Sequence, residues 1–270
     1  MGEAFEHVSD EMGELIESFY PHAAVGSTQT VGLTQYLFWM LIACAALLAV
    51  LLVYKAKREK QGLVGRGLFV NAIEYLLDFI KNDICIANLG DSWKRHFPFL
   101  ATVFFFVLFG NYIGMLPTLK PGTGSTGMTG AVASASFVYF IVRGIQAKGG
   151  WGYIKSLAPA GLMPPIAALV WVIEVFSTFL RLVTLAVRLF CNMFAGHVVM
   201  GTFALMCTIF VQPLLQGFSA AALGTASMSI LWMALLTIIY TVELLIAFLQ
   251  AYIFTLLSAV YVQLAEAAGH

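Results

Sequence analysis

Charge is scarce in this sequence. Only 10% of the 270 residues are Asp, Glu, Lys or Arg, and the two signs balance. A chain so short of charge offers no basic face for nucleic acid and no net field to steer a charged substrate. Cysteine is equally sparse: Cys44, Cys85, Cys191 and Cys207 stand far apart, mostly inside apolar runs, and form no CxxC pair. That rules out a disulfide framework and a zinc ribbon, so neither a disulfide nor a metal is expected. Glycine and proline are missing altogether between Gly224 and Gly269, which leaves that stretch without a turn signal. A basic start followed early by a short apolar core is absent too, so the first apolar run reads as a retained anchor and not a cleaved signal.

What the chain has in excess is hydrophobicity, 60% of residues with a mean hydropathy of +0.89. Such a composition belongs to an all-α polytopic membrane protein. Residues 1–32 form a polar, acidic segment (Glu3, Glu6, Asp10, Glu11, Glu14, Glu17) in which a peripheral amphipathic helix over 3–19 is conceivable. The membrane domain then takes up 33–270. A first span over 33–54 is followed at once by Lys55, Lys57, Arg58, Lys60 and Arg66, which mark the cytoplasmic side and leave the N-terminus outside.

Residues 68–89 alternate differently. Asn71, Glu74, Tyr75, Asp78, Lys81 and Asn82 recur at helical spacing, which predicts an amphipathic helix lying on the cytoplasmic surface or against partner helices. Spans follow over 97–119 and 129–147, the latter rich in the Ala and Ser that let helices pack closely in lipid. Between them, 120–130 reads as a flexible external turn. Its GxGxxG spacing (Gly122, Gly124, Gly127) follows no strand, so a dinucleotide site is excluded. A Gly- and Pro-rich loop at 149–163 breaks the chain. Two long apolar stretches, 166–211 and 225–266, complete it. The second would be roughly 60 Å long as one helix, against a hydrocarbon core of roughly 30 Å. Either each makes two tight spans, or each is a single steeply tilted helix; the missing turn residues favour tilt. About five crossings put the C-terminus inside.

Costly polar residues interrupt these last stretches. Glu174, Arg181 and Arg188 recur every seventh residue and Asn192 follows by four, a stripe roughly 40° wide on a straight helix. His197 points to nearly the opposite side. A charge near mid-bilayer costs about 2.5–3.5 kcal/mol on insertion scales, so such residues mark an ion pathway. Glu174 and Arg181 have a second reading, with both heads snorkelling to an interface. In the final stretch Tyr240, Glu243, Gln250 and Gln263 are polar, and Glu243 and Gln250 share a face. His7, His22, His96 and His270 read as scattered surface residues.

Arg188-Leu-Phe-x-Asn192-Met-Phe-Ala-Gly196, with Leu249-Gln250-Ala-Tyr-Ile-Phe254 and Val260-Tyr261, resembles the subunit a family of F-type ATP synthases. Asn111-Tyr-Ile-Gly-Met-Leu-Pro117 is similar to the end of that family's second span. The resemblance implies a non-catalytic, proton-translocating stator subunit without cofactors in an energy-transducing membrane, here a bacterial plasma membrane. Its partners would be a ring of c subunits, the peripheral-stalk subunit b and the other synthase subunits. It implies that Arg188 is the arginine facing the ring's carboxylates and Gln250 the glutamine beside it. Asn192, His197 and Glu243 would line the external half-channel, and Glu174 would lie near the cytoplasmic one. Many bacterial relatives carry Glu at the position of His197 and His at that of Glu243, so the two are expected to work jointly. Cys191 stands where Gly is common, and the 120–136 hairpin lacks the family's acidic and asparagine residues. The rival reading, a stand-alone ion-coupled secondary transporter, calls for internal repeats and broken helices; an intramembrane enzyme calls for a nucleophile–base pair or HExxH. The sequence has none of these.

Overall fold

The computed structural model describes Gly13 and residues 23–25, 33–61, 67–116, 122–157, 163–216 and 220–267. The predicted peripheral helix at 3–19 and nearly all of the acidic segment lie outside these. Among the described residues a short antiparallel pair, β1 (Ala23–Val25) with β2 (Leu33–Thr34), precedes an otherwise helical chain. Five helical stretches are long and apolar enough to cross a membrane, so the chain has the all-α polytopic fold expected from its composition.

Helix α1 (Gln35–Gln61) carries its basic residues at the C-terminal end, where Arg58 and Lys60 complement the helix dipole. Arg58 Nε also bonds a Glu74 oxygen at 2.8 Å, fastening the next helix to that end of the bundle. This is α2 (Leu68–Phe79), prolonged by a π-helical segment (Ile80–Ile86) and a last turn (Ala87–Leu89). Val70, Ile73, Ile80 and Ile84 are buried while Asn71, Tyr75, Asp78 and Asn82 are exposed, as the amphipathic spacing predicts. Gly90, at φ 53° and ψ −130°, then turns the chain through a conformation that side-chain-bearing residues avoid.

Helix α3 (Trp93–Gly114) runs through the core, with Leu100, Phe104 and Val107 fully buried. Phe104 meets Phe79 and Phe248 at centroid distances of 6.4 and 5.9 Å, in the tilted and edge-on arrangements that aromatic quadrupoles favour. Beyond it, the segment expected to be a flexible external turn contains a 3₁₀ turn (Gly122–Gly124) packed into the protein. Thr123 is fully buried there, and its hydroxyl donates to Asn111 Oδ1 at 2.9 Å. The loop-like composition concealed this, because a small residue with one satisfied hydroxyl costs little to bury.

Helix α4 (Thr126–Lys148) turns Ala133, Ser136 and Gly144 inward, and the Ser258 hydroxyl donates to Ser136 Oγ at 3.3 Å. The close approach expected of its small residues is real. A Cβ on Gly144 would collide with the Tyr153 ring. Gly149, at φ 77°, leads into a short helix, α5 (Gly150–Ser156), where the sequence predicts only a chain-breaking loop. Trp171 Nε1 donates to the Ile154 carbonyl at 2.9 Å and holds α5 against the next helix.

That helix, α6 (Pro164–Gln216), has 53 residues, and its partner α7 (Ala220–Glu266) has 47. Neither breaks, so the alternative of two tight spans apiece is set aside. At 1.5 Å per residue they measure about 80 and 70 Å, and only a steep incline fits such rods to a bilayer. They form the most extensive helix pairing in the chain, and α7 also packs on α3 and α4. In the most apolar stretch of α6 no residue is buried, against 56% in that of Leu68–Gly114. The long pair therefore presents a broad apolar face that the chain itself leaves uncovered.

Candidate functional site

The site lies along this pair. Gly196 on α6 faces Glu243 on α7, whose carboxylate occupies the space a Cβ on Gly196 would need. Glu243 is 6% exposed, and its Oε1 has no hydrogen-bond partner among the described residues. An acid in that setting calls for a proton or a water to complete it.

Next to Gly196, His197 caps another helix. Its Nε2 lies 2.9 Å from the Gly114 carbonyl at the end of α3, and its Nδ1 lies 2.9 Å from the Met193 carbonyl. The Tyr240 hydroxyl donates to the neighbouring Met115 carbonyl at 3.3 Å. The carbonyls at the end of α3, which lack intrahelical partners, are thus met by side chains from both long helices. Carbonyl oxygens only accept. A neutral imidazole can complete one of the two His197 bonds, whereas an imidazolium completes both.

Asn111 adds a third tie at this end. Fully buried, it donates from Nδ2 to the Ala247 carbonyl at 3.3 Å while accepting from Thr123. Asn111 and Thr123 thereby fix α3 against α7, one turn from Glu243.

The helices run antiparallel with Gly196 opposite Glu243. Gln250, seven residues on in α7, therefore stands level with Leu189, seven back in α6, and so at the height of Arg188. Arg188 is exposed on the uncovered apolar face, together with Thr184, Val187 and Cys191. It has no hydrogen-bonding or ion-pair partner among the described residues. Cys191, free and exposed, is not the small buried hydrophobe its apolar neighbours imply. Asn192 Nδ2 and Gln250 Nε2 are buried without acceptors among the described residues. Around this height the helix pair holds a permanent cation and two idle amide donors. What they lack in common is an acceptor, and an ionised carboxylate accepts only.

Glu174 and Arg181 do not join that arrangement. They pair with each other, Arg181 Nη2 to Glu174 Oε1 at 2.8 Å, with the guanidinium 5.4 Å from the centre of the Tyr261 ring. The pair lines a cavity of about 240 Å³ between α4, α5, α6 and α7, shared with Lys148, Tyr153 and Ser156. Thr178 Oγ1, also in its wall, has no hydrogen-bond partner among the described residues. Burial raises the Tyr153 phenol above its ordinary pKa, opposed by the Arg181 charge, so it serves as a neutral hydroxyl. The stripe keeps its expected geometry, but its cover changes along the helix: Glu174 and Arg181 line the cavity walled by α4 and α5, and Arg188, further along, lies on the uncovered face.

His96 is a second correction. Expected at the surface, it is fully buried, with Nδ1 3.1 Å from the Tyr139 hydroxyl and Nε2 3.2 Å from Glu266 Oε2. Arg143 donates to the same tyrosine oxygen at 3.3 Å. These bonds tie the start of α3 to the end of α7.

The sequence profile of the ATP synthase A chain family matches residues 37–263. An ATP synthase subunit a from Myxococcus xanthus is 36% identical to this chain over 241 residues, covering 89% of it and 75% of the relative. Another from Chloroherpeton thalassium is 36% identical, covering 99% and 80%. A third, from Chlorobium phaeobacteroides, is 32% identical, covering 98% and 79%.

Proposed function

The chain belongs to the ATP synthase A chain family, and on that footing we propose that it is the proton-carrying stator subunit of an F-type ATP synthase. In this reading it stands beside a rotating ring of c subunits, braced by the peripheral-stalk subunit b, in a bacterial plasma membrane with its N-terminus outside and its C-terminus in the cytoplasm. It performs no bond-making chemistry. It gives protons two offset routes to and from the ring.

One observation carries the reading: Arg188 is a cation without a partner among the described residues, on an uncovered apolar face at the height of idle donors on Asn192 and Gln250. A guanidinium stays charged at any physiological pH and cannot relay protons. It can favour the ionised form of an acid that passes within about 4–6 Å, lowering that acid's pKa by about 1–3 units. A ring carboxylate arriving at Arg188 releases its proton to one side. Moving on, it takes up another from the other side. Both proton routes stop at Arg188, because a fixed positive charge repels a proton crossing directly. His197 and Glu243 serve the external route, and Glu174 the cytoplasmic one. The unbroken α6 and α7 favour this reading over a secondary transporter, whose binding sites lie at interrupted helices.

The test is ATP-driven proton pumping in inverted vesicles carrying Arg188→Ala, with assembly of the complex checked in parallel. Pumping should be lost while the complex still assembles. Normal pumping by an assembled complex would discard the proposal.

A further inference from the structure

We propose that the groove between α5 and the start of α6 holds an acyl chain of an anionic phospholipid, whose phosphate lies against Lys155. The groove encloses about 580 Å³. Trp151 and Trp171 stand at its sides, and the small Ala167 and Ala168 leave the hollow between them. Trp171 is immobilised, since its indole N–H, the one polar atom it has, is spent on the Ile154 carbonyl. One wall of the hollow is thus held in place, and its lining is mostly apolar. Trp151 is 81% exposed, a large aromatic left at the edge of a membrane-crossing bundle, where Trp side chains settle at the headgroup level.

The charge at one end selects the occupant. Among the described residues, Lys155 is the only ionisable one lining the groove. It has no ion-pair partner among the described residues, and the nearby carboxylate of Glu174 is already paired with Arg181. Arg143 and Lys148 lie at this same basic end of the bundle, which the positive-inside rule assigns to the leaflet face rich in anionic headgroups. An open apolar slot with a single cation at its end matches an amphiphile of one chain and one negative headgroup. A free anion would find too few donors here. A partner helix would have to bring a carboxylate to Lys155 and an apolar ridge to the slot at once.

The inference rests on the groove and on the membrane setting, not on the proton route. It is tested on the whole complex in lipid nanodiscs, with photoactivatable phosphatidylglycerol and phosphatidylcholine as probes. Cross-links within residues 150–172 are mapped by mass spectrometry. Labelling by the glycerol lipid should exceed that by the choline lipid by about fivefold, the factor one membrane-facing lysine contributes to anionic-lipid binding. Lys155→Glu should remove the preference, and Ala168→Trp, which fills the slot, should abolish labelling there while proton pumping persists. Equal labelling by both probes, or labelling untouched by Ala168→Trp, would overturn the proposal. So would cross-linking of Trp151→Cys to another polypeptide across the groove in native membranes.

Discussion

The carboxylate of Glu243 fills the space opposite Gly196 where any other residue would place its Cβ. The glycine is there to admit an acid side chain between two helices, and the contact sets the register that brings Gln250 to the height of Arg188. Gly196→Ala should force the helices apart or expel the carboxylate, at an overpacking cost of about 1–3 kcal/mol. The expected outcome is a strong loss of proton pumping, partly recovered when Glu243→Asp shortens the acid. No recovery in the double variant, measured in inverted vesicles, would mean that the clash lies elsewhere.

His197 follows Gly196 directly, and Glu243 faces that glycine. If they act as one acid–imidazole unit, exchanging them by His197→Glu with Glu243→His should retain more pumping than either single change. Losses that simply add on a logarithmic scale would argue that the two act independently.

Thr123 donates to Asn111 deep in the protein, and Asn111 in turn holds the α7 backbone. Thr123→Val keeps the shape and removes the donor, leaving a buried acceptor unmet at a cost of about 1–3 kcal/mol. A lowered thermal midpoint of the complex is expected, with Thr123→Ser close to the parent. Equal midpoints for the valine and serine variants would exclude the bond as a source of stability.

Glu266 reaches back from the end of α7 to the buried His96. Glu266→Ala strips one partner from that ring and loosens the C-terminal turns. Proteolysis after about the last turn of α7 should speed up, while pumping falls less than in Arg188→Ala. Unchanged cleavage kinetics would show that Tyr139 and the surrounding packing suffice to hold the end.

The sequence favours a single long helix for α7 over two tight spans, because nothing between Gly224 and Gly269 offers a turn and the run far exceeds a bilayer. Arg188, Gln250 and Glu243 stood out through the cost of polar groups in such runs. The division of the Glu174–Arg188 stripe did not stand out, since a seven-residue spacing says nothing about which neighbours cover each turn. The burial of His96 leaves no mark in the sequence, because its partner Glu266 lies 170 positions away and only the fold brings them together. Helix α5 escaped notice because three glycines sit within or beside its seven residues, a composition that reads as loop. The π-helical turn at Ile80–Ile86 leaves no periodic mark of its own.

Because α6 is unbroken from Pro164 to Gln216, it also acts as a measuring rod. Along its axis Glu174 and Arg188 are about 21 Å apart, and Arg188 and His197 about 14 Å. The helix is continuous between them, so these heights are fixed relative to one another. On the proposed function, a proton acceptor carried past at the middle mark would meet the same charge at the same depth on every pass.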